Sequence, residues 1–243
     1  MTNWKNCISL THLYWMRLRT KNCPEMKFQA ARMLIIAPHP DDEVMGMGGV
    51  ICRLTQLGYP PHIIILSKGE LSHQGCCDTP NEVIKTTRCQ LAISVMKSLG
   101  LPSDHLHILN FPDGKISAGD PEMQHLKTII QTVSPQMVFI PHYGERWPDH
   151  IHAAEIVNTL LSPQVEIYEY CVWLWYYNVW RLNWKNARVL RMSPQEHQKK
   201  IQAVNDYVTP KAPCGKPWSG VLPKLLVDAC TNDTELFFKV TRN

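Results

Sequence analysis

Short apolar runs bounded by turn residues recur along this chain, and apolar positions at helical spacing fill the stretches between them. Met33-Leu34-Ile35-Ile36-Ala37 reads as a buried parallel strand. Val44, Met47, Ile51 and Leu54 then fall on one helical face, and Gly58 ahead of Pro60-Pro61 ends that helix. A second strand is expected over 62–67, a polar loop to Pro80, and a helix over 81–99 with Ile84, Leu91 and Val95 on its buried side. The same logic predicts strands at 105–109, 137–140, 165–173 and 189–192, and a last, edge-type strand at 235–240. Helices are expected around Met123, Leu126, Ile130 and Val133, around Ile151, Ala154, Val157 and Leu161, and over 194–207, the last opened by Ser193. Repeated strand–helix alternation implies an α/β fold: a doubly wound, mostly parallel sheet with helices on both faces. Residues 1–30 lack clean periodicity. Beyond a short amphipathic helix at 10–18 they read as an N-terminal extension packed on a single domain, 31–243.

Composition narrows the function classes. A hydrophobic share of 44% with 19% charged residues excludes a disordered chain. The net charge of +4 is mild and no Lys/Arg-dense run concentrates it, so a nucleic-acid partner is not expected. The nine cysteines are scattered and odd in number, with Cys76 and Cys77 adjacent, which suggests a reducing compartment. No stretch approaches a transmembrane span, and Met1 to Cys23 lacks a signal-peptide apolar core, so the expected location is cytoplasmic.

Chemistry concentrates where the first strand ends. In Ala37-Pro38-His39-Pro40-Asp41-Asp42-Glu43 the prolines block simple continuation into a helix, so an imidazole and three carboxylates sit at the carboxyl edge of the sheet. Ligands bind at that edge in open α/β sheets. His39 and Asp42, three apart across a rigid turn, suit a common zinc ion, with Asp41 left to handle protons; the alternative is that Asp41 or Asp42 only caps the next helix. Far downstream His150 enters the first turn of a helix at the same edge, and His142 and His152 are alternatives for the third ligand. Arg88 falls on an otherwise buried helix face, where it needs an anion: either a structural pair, such as Glu70, or a substrate. Gly46, Gly48 and Gly49 read as allowing close approach of the helix to the sheet or a ligand. The aromatic segment from Trp173 to Trp184 reads as core and loop packing, with a sugar-stacking platform or a membrane-surface contact as the functional alternatives.

Four landmarks, spanning roughly 33–205, resemble the zinc-dependent N-acetylglucosaminyl deacetylases called the LmbE-like or PIG-L family. They are Ala-Pro-His39-Pro-Asp41-Asp42-Glu43; Leu66-Ser67-Lys68-Gly69-Glu70; Arg88 with Phe111-Pro112-Asp113-Gly114; and Trp147-Pro148-Asp149-His150. The resemblance implies a Rossmann-like fold and removal of an N-acetyl group from an aminosugar. It further implies one zinc held by His39, Asp42 and His150, zinc-bound water as nucleophile, Asp41 as general base, and Arg88, Asp113, Glu70 and Arg146 on the substrate side. The chain departs from the pattern at Trp147, where the family commonly carries a histidine. An indole donates one hydrogen bond but does not shuttle protons. The expectations that follow are that His142, His152 or Arg146 replaces that donor, that Asp41 acts as both base and acid, or that turnover is weak or lost. A non-sugar amide substrate and a homo-oligomeric assembly remain compatible with the sequence.

Overall fold

Side chains that alternate along the central strands divide the interior into two apolar layers, one on each face of a single sheet. The computed structural model describes residues 4–177 and 179–242. In chain order the elements are α1 (Trp4–Thr20), β1 (Met33–Ala37), α2 (Asp42–Gln56), β2 (His62–Ser67), α3 (Asn81–Ser98), β3 (Leu106–Phe111) and α4 (Met123–Val133). They continue with β4 (Met137–Pro141), α5 (Pro148–Leu160), β5 (Glu166–Tyr170), β6 (Ala187–Arg191), α6 (Pro194–Val208), α7 (Lys224–Cys230) and β7 (Thr234–Lys239). On β1, Ile35 and Ala37 pack with α2, α3, α6 and α7, whereas Leu34 and Ile36 pack with α4 and α5. Helices therefore cover both faces, as expected for strands buried on both sides.

The strand order is β3-β2-β1-β4-β5-β7-β6. β1 pairs in parallel with β2 and with β4, so the order reverses between them and leaves a crevice at their carboxyl ends. This crevice positions the candidate site. Gly46 lets α2 lie close above it, because a Cβ there would collide with the Tyr170 ring; at Gly49 it would collide with Met192 Sδ.

Three features differ from the sequence expectation. First, β7 is not an edge strand. It runs antiparallel between β5 and β6, and Leu236, Phe237 and Phe238 are all buried. Glu235, at the start of the segment, is itself buried: it accepts the Gly49 and Val50 amide hydrogens and pairs with Lys200 at 2.6 Å. Second, α1 is longer than 10–18, and Leu13 and Met16 join the same apolar layer as α2. Third, α7 went unpredicted; with seven residues it is too short for a clear period.

Candidate active site

The turn after β1 is held from within. The His39 amide donates to Asp42 Oδ2 at 3.1 Å, and the Asp41 amide donates to Glu43 Oε2 at 2.9 Å. Glu43 is anchored in turn by the Tyr207 hydroxyl at 2.5 Å. Asp41 occupies the N-cap position of α2 but its side chain caps nothing; its φ is 136°, a region L-residues rarely enter and one that costs on the order of 1–3 kcal/mol. That conformation points the carboxylate at Arg88, whose Nη2 lies 3.3 Å from Asp41 Oδ2. Arg88 also donates to the carbonyls of Gly69 (2.9 Å) and Pro40 (2.6 Å), so its anionic partner is Asp41 and not Glu70. Glu70 instead accepts the Asp113 amide at 3.2 Å.

The other half of the site comes from β4. A turn at Tyr143–Glu145 leads to α5, with Pro148 in its first turn, and this delivers Glu145, Asp149 and His150 to the crevice. Glu145, fully buried, accepts the amide hydrogens of Val172 (2.8 Å), Trp173 (2.5 Å) and Leu174 (3.1 Å) and lies 3.4 Å from His150 Nδ1. Asp149 accepts from the Gly114 and Ile116 amides at 2.7 and 3.3 Å and faces His39 Nε2 at 3.1 Å. Neither role was assigned from sequence. Both residues lie inside the 142–150 stretch that drew attention, but their partners are backbone amides 27–35 positions away, which no local spacing encodes.

Two imidazoles converge on one carboxylate oxygen. His39 Nδ1 and His150 Nε2 stand 3.2 and 3.3 Å from Asp42 Oδ2, and the three donors form a cluster that suits a metal ion. Both His150 nitrogens are buried without a well-formed hydrogen bond, which is the condition a metal on Nε2 would relieve. His39 Nε2 faces Asp113 and Asp149, and His150 Nδ1 faces Glu145. Carboxylates behind ligating imidazoles fix tautomer and ring orientation. A second grouping, His39, Asp113 and Asp149, is also close enough to hold an ion. Asp149 is already committed to two amides, so the Asp42 side is the better fit.

The electrostatics follow from this crowding. Burial alone would depress the His150 imidazolium, but Asp42 and Glu145 lift it to about 9. Burial would raise Asp42, yet His150 and His39 hold it well below the usual carboxylate range. Asp41 goes the other way: burial and the neighbouring Asp42 push it up to about 6, against the pull of Arg88.

A cavity of about 390 Å³ opens over these groups. His39, Asp41, Asp42, Arg88 and Asp113 line its floor, Trp147 and Trp173 one wall, and Leu71, Ser72 and the 219–222 segment another. Trp147 and Trp173 stack in parallel at 5.3 Å. The aromatic segment is thus divided: Trp173 faces the cavity, while Trp180 and Trp184 pack on Trp15 of α1. The remaining predicted residues lie elsewhere. His142 is buried, its Nδ1 accepting from Gly144 and its Nε2 3.6 Å from Glu169, with burial lowering it to about 3. His152 faces a separate hollow beside Ile116 and Glu155, and neither Arg146 nor Glu70 lines the cavity.

The family model described as "PIG-L: GlcNAc-PI de-N-acetylase" matches residues 34–161. Diacetylchitobiose deacetylase of Thermococcus kodakarensis is 29% identical over 129 residues, covering 50% of this chain and 46% of that protein. The matches span about half the length of the curated relatives. Among solved structures, a teicoplanin-pathway deacetylase superposes with a TM-score of 0.66 at 17% identity, covering 87% of this chain and 98% of that one. The 4-carboxy-2-hydroxymuconate hydratase GalB of Pseudomonas putida superposes equally well, TM-score 0.66 at 16% identity, covering 87% and 97%. At these identities the likeness establishes the fold, and a fold shared by a deacetylase and a hydratase leaves the reaction to the site. With the family model covering more than half of its length, the chain belongs to the PIG-L, or LmbE-like, family.

Proposed function

We propose that the chain is a metal-dependent N-deacetylase acting on an N-acetylated aminosugar, with a divalent ion held by His39, Asp42 and His150. The observation that carries this is the convergence of two imidazoles on Asp42 Oδ2, with both His150 nitrogens otherwise unsatisfied in a buried position. Two histidines and a carboxylate suit zinc and leave a coordination position open. Once bound, the ion supplies a Lewis acid for the amide carbonyl and acidifies water in contact with it.

The chain's own residues do the rest. Asp41 touches the cavity, ligates nothing in the proposed set and stands near pH 6, so it takes a proton from the attacking water and returns it to the leaving amine. Arg88 fixes its direction. With His142 and His152 off the cavity and Trp147 unable to transfer a proton, base and acid fall to the same carboxyl. The stacked Trp147–Trp173 pair offers a flat apolar face on which a pyranose ring can lie, while Asp113 and Arg88 reach its hydroxyls from the floor. The relatives named for diacetylchitobiose and for glucosaminyl substrates support the aminosugar class. Among the described residues no helix is long and apolar enough to cross a membrane.

The test is acetate release from a panel of N-acetylglucosamine glycosides by zinc-loaded protein, with Asp41→Asn alongside. Release abolished by chelation and by the substitution is expected. Release that persists in Asp41→Asn at the wild-type rate would remove Asp41 from the chemistry; no release from any member would overturn the aminosugar assignment.

A further inference from the structure

The polar loop after β2 and the segment between α6 and α7 carry chemistry that the deacetylase site does not use. His73, Cys76, Cys77 and Cys214 place one nitrogen and three sulfurs within 4.8 Å of one another, on the far side of the cavity wall. The separations are those of a tetrahedral ion. Zinc at about 2.3 Å from sulfur and about 2.0–2.1 Å from nitrogen requires sulfur–sulfur distances of about 3.8 Å and sulfur–nitrogen distances of about 3.6 Å. Observed are 3.9 Å for Cys76–Cys214, 3.4 Å for Cys77 Sγ to His73 Nδ1, 3.5 Å for Cys214 Sγ to His73 Nδ1, and 4.0 Å for Cys76 Sγ to His73 Nδ1.

The histidine is prepared for this. His73 is 2% exposed, and its Nε2 donates to the Pro217 carbonyl at 3.0 Å, which leaves the Nδ1 lone pair facing the thiols. A backbone carbonyl behind a ligating imidazole is the usual means of setting its tautomer. Both loops turn tightly at the cluster: the Cys76 amide bonds the His73 carbonyl, and the Gly215 amide bonds that of Ala212, with Gly75 and Gly215 at positive φ. Adjacent cysteines are poorly placed to join each other as a disulfide but can both face one ion from such a turn.

We propose that His73, Cys76, Cys77 and Cys214 form a second, structural metal site for a thiophilic divalent ion, zinc by ligand type, that pins together the two chain segments of one wall of the substrate cavity. Each thiol releases its proton to solvent as it binds, and with three thiolates and one imidazole the shell is closed, so no position remains for catalysis. The pin has a consequence for the site beyond it. Leu71, Ser72 and Gln74 precede the cysteine pair and Ser219 to Leu222 follow Cys214, and all of these line the cavity. The two segments already touch, since a Cβ on Gly220 would stand 2.8 Å from the Ser72 carbonyl oxygen.

Cobalt titration of the reduced, metal-free full-length chain tests this independently of the deacetylase reading. The His39–Asp42–His150 cluster contains no sulfur, so a sulfur-to-cobalt charge-transfer band that requires Cys77 and Cys214 reports the thiolate site and not the deacetylase site. Expected is a band whose saturating intensity corresponds to one thiolate-bound cobalt per chain and is reached by two added equivalents, that is displaced by zinc, and that is lost in Cys214→Ser and in Cys77→Ser. Should those variants fail to fold, zinc protection of three thiols from a chromogenic disulfide reagent in the wild-type chain provides the second readout. No charge-transfer band in the reduced wild-type protein, a band that survives both substitutions, or thiols equally reactive with and without zinc overturns the proposal.

Discussion

Glu145 is the residue whose replacement separates the proposed metal centre from its scaffold. One of its oxygens accepts the Val172 and Leu174 amides and the other accepts Trp173 and faces His150 Nδ1. In Glu145→Gln the amide oxygen can retain the first pair, but the NH2 group then confronts the Trp173 N–H and the His150 Nδ1–H, donor against donor. A buried donor left without an acceptor costs about 1–3 kcal/mol, which should appear in urea unfolding of the metal-free protein. Loss of the group behind His150 frees its tautomer, and such losses typically weaken metal binding by about 10–100-fold. Because the thiolate cluster would also take up zinc, the reading must come from function: the free zinc, set by a metal buffer, that restores half-maximal acetate release to the stripped enzyme. That level should rise by about one to two orders of magnitude. If it is unchanged while stability falls, Glu145 merely staples the 172–174 backbone and the assignment of His150 as a ligand loses its support.

Other consequences can be measured directly. Asp41→Gly should unfold at higher urea than Asp41→Asn, by roughly 1 kcal/mol, because glycine tolerates the φ of 136° that Asn does not; equal midpoints would mean the backbone relaxes. Lys200→Met leaves Glu235 buried and unpaired and should destabilise the chain by about 3–5 kcal/mol, while Lys200→Met with Glu235→Gln should recover part of it; a single-variant loss under 1 kcal/mol contradicts the burial argument. Burial raises Glu169 to about 7 from an ordinary 4.5, so the folded state holds a proton that the unfolded state releases, and stability falls as pH rises through that window. Glu169→Gln should therefore gain on the wild type by about 1.4 kcal/mol per pH unit between 4.5 and 7, and parallel stability curves would refute it.

The strands around the site were legible because buried parallel strands are uninterrupted apolar runs, as Leu34 to Ile36 and Ile63 to Leu66 show. His39, Asp41, Asp42 and His150 were legible because prolines and a helix start fix where their side chains begin. What escaped depends on contacts between distant segments. Arg88 required an anion, but only the turn strain at Asp41 decides which. The burial of Glu235 was not legible because nothing local announces two amides of α2 and Lys200 above it. The cysteines appeared scattered since Cys76 and Cys214 meet across 138 positions.

The placement of β7 bears on how the chain acquires its structure as it is made. β6 precedes β7 by more than forty positions, and among the described residues its pairings are with β7, which also supplies the far edge of β5, and a short bridge from Val189 to the 24–26 segment. During synthesis the five strands from β3 to β5 can assemble in their final order, whereas β6, bridged until then only to the 24–26 segment, joins the sheet when the last strand slots in between. The same insertion delivers Glu235 to the amides of Gly49 and Val50 and to Lys200, so α2 and α6 gain their buried anion at the final step. Chains arrested before β7 would expose β5 as an open edge with hydrophobic neighbours, a natural target for chaperones or proteases.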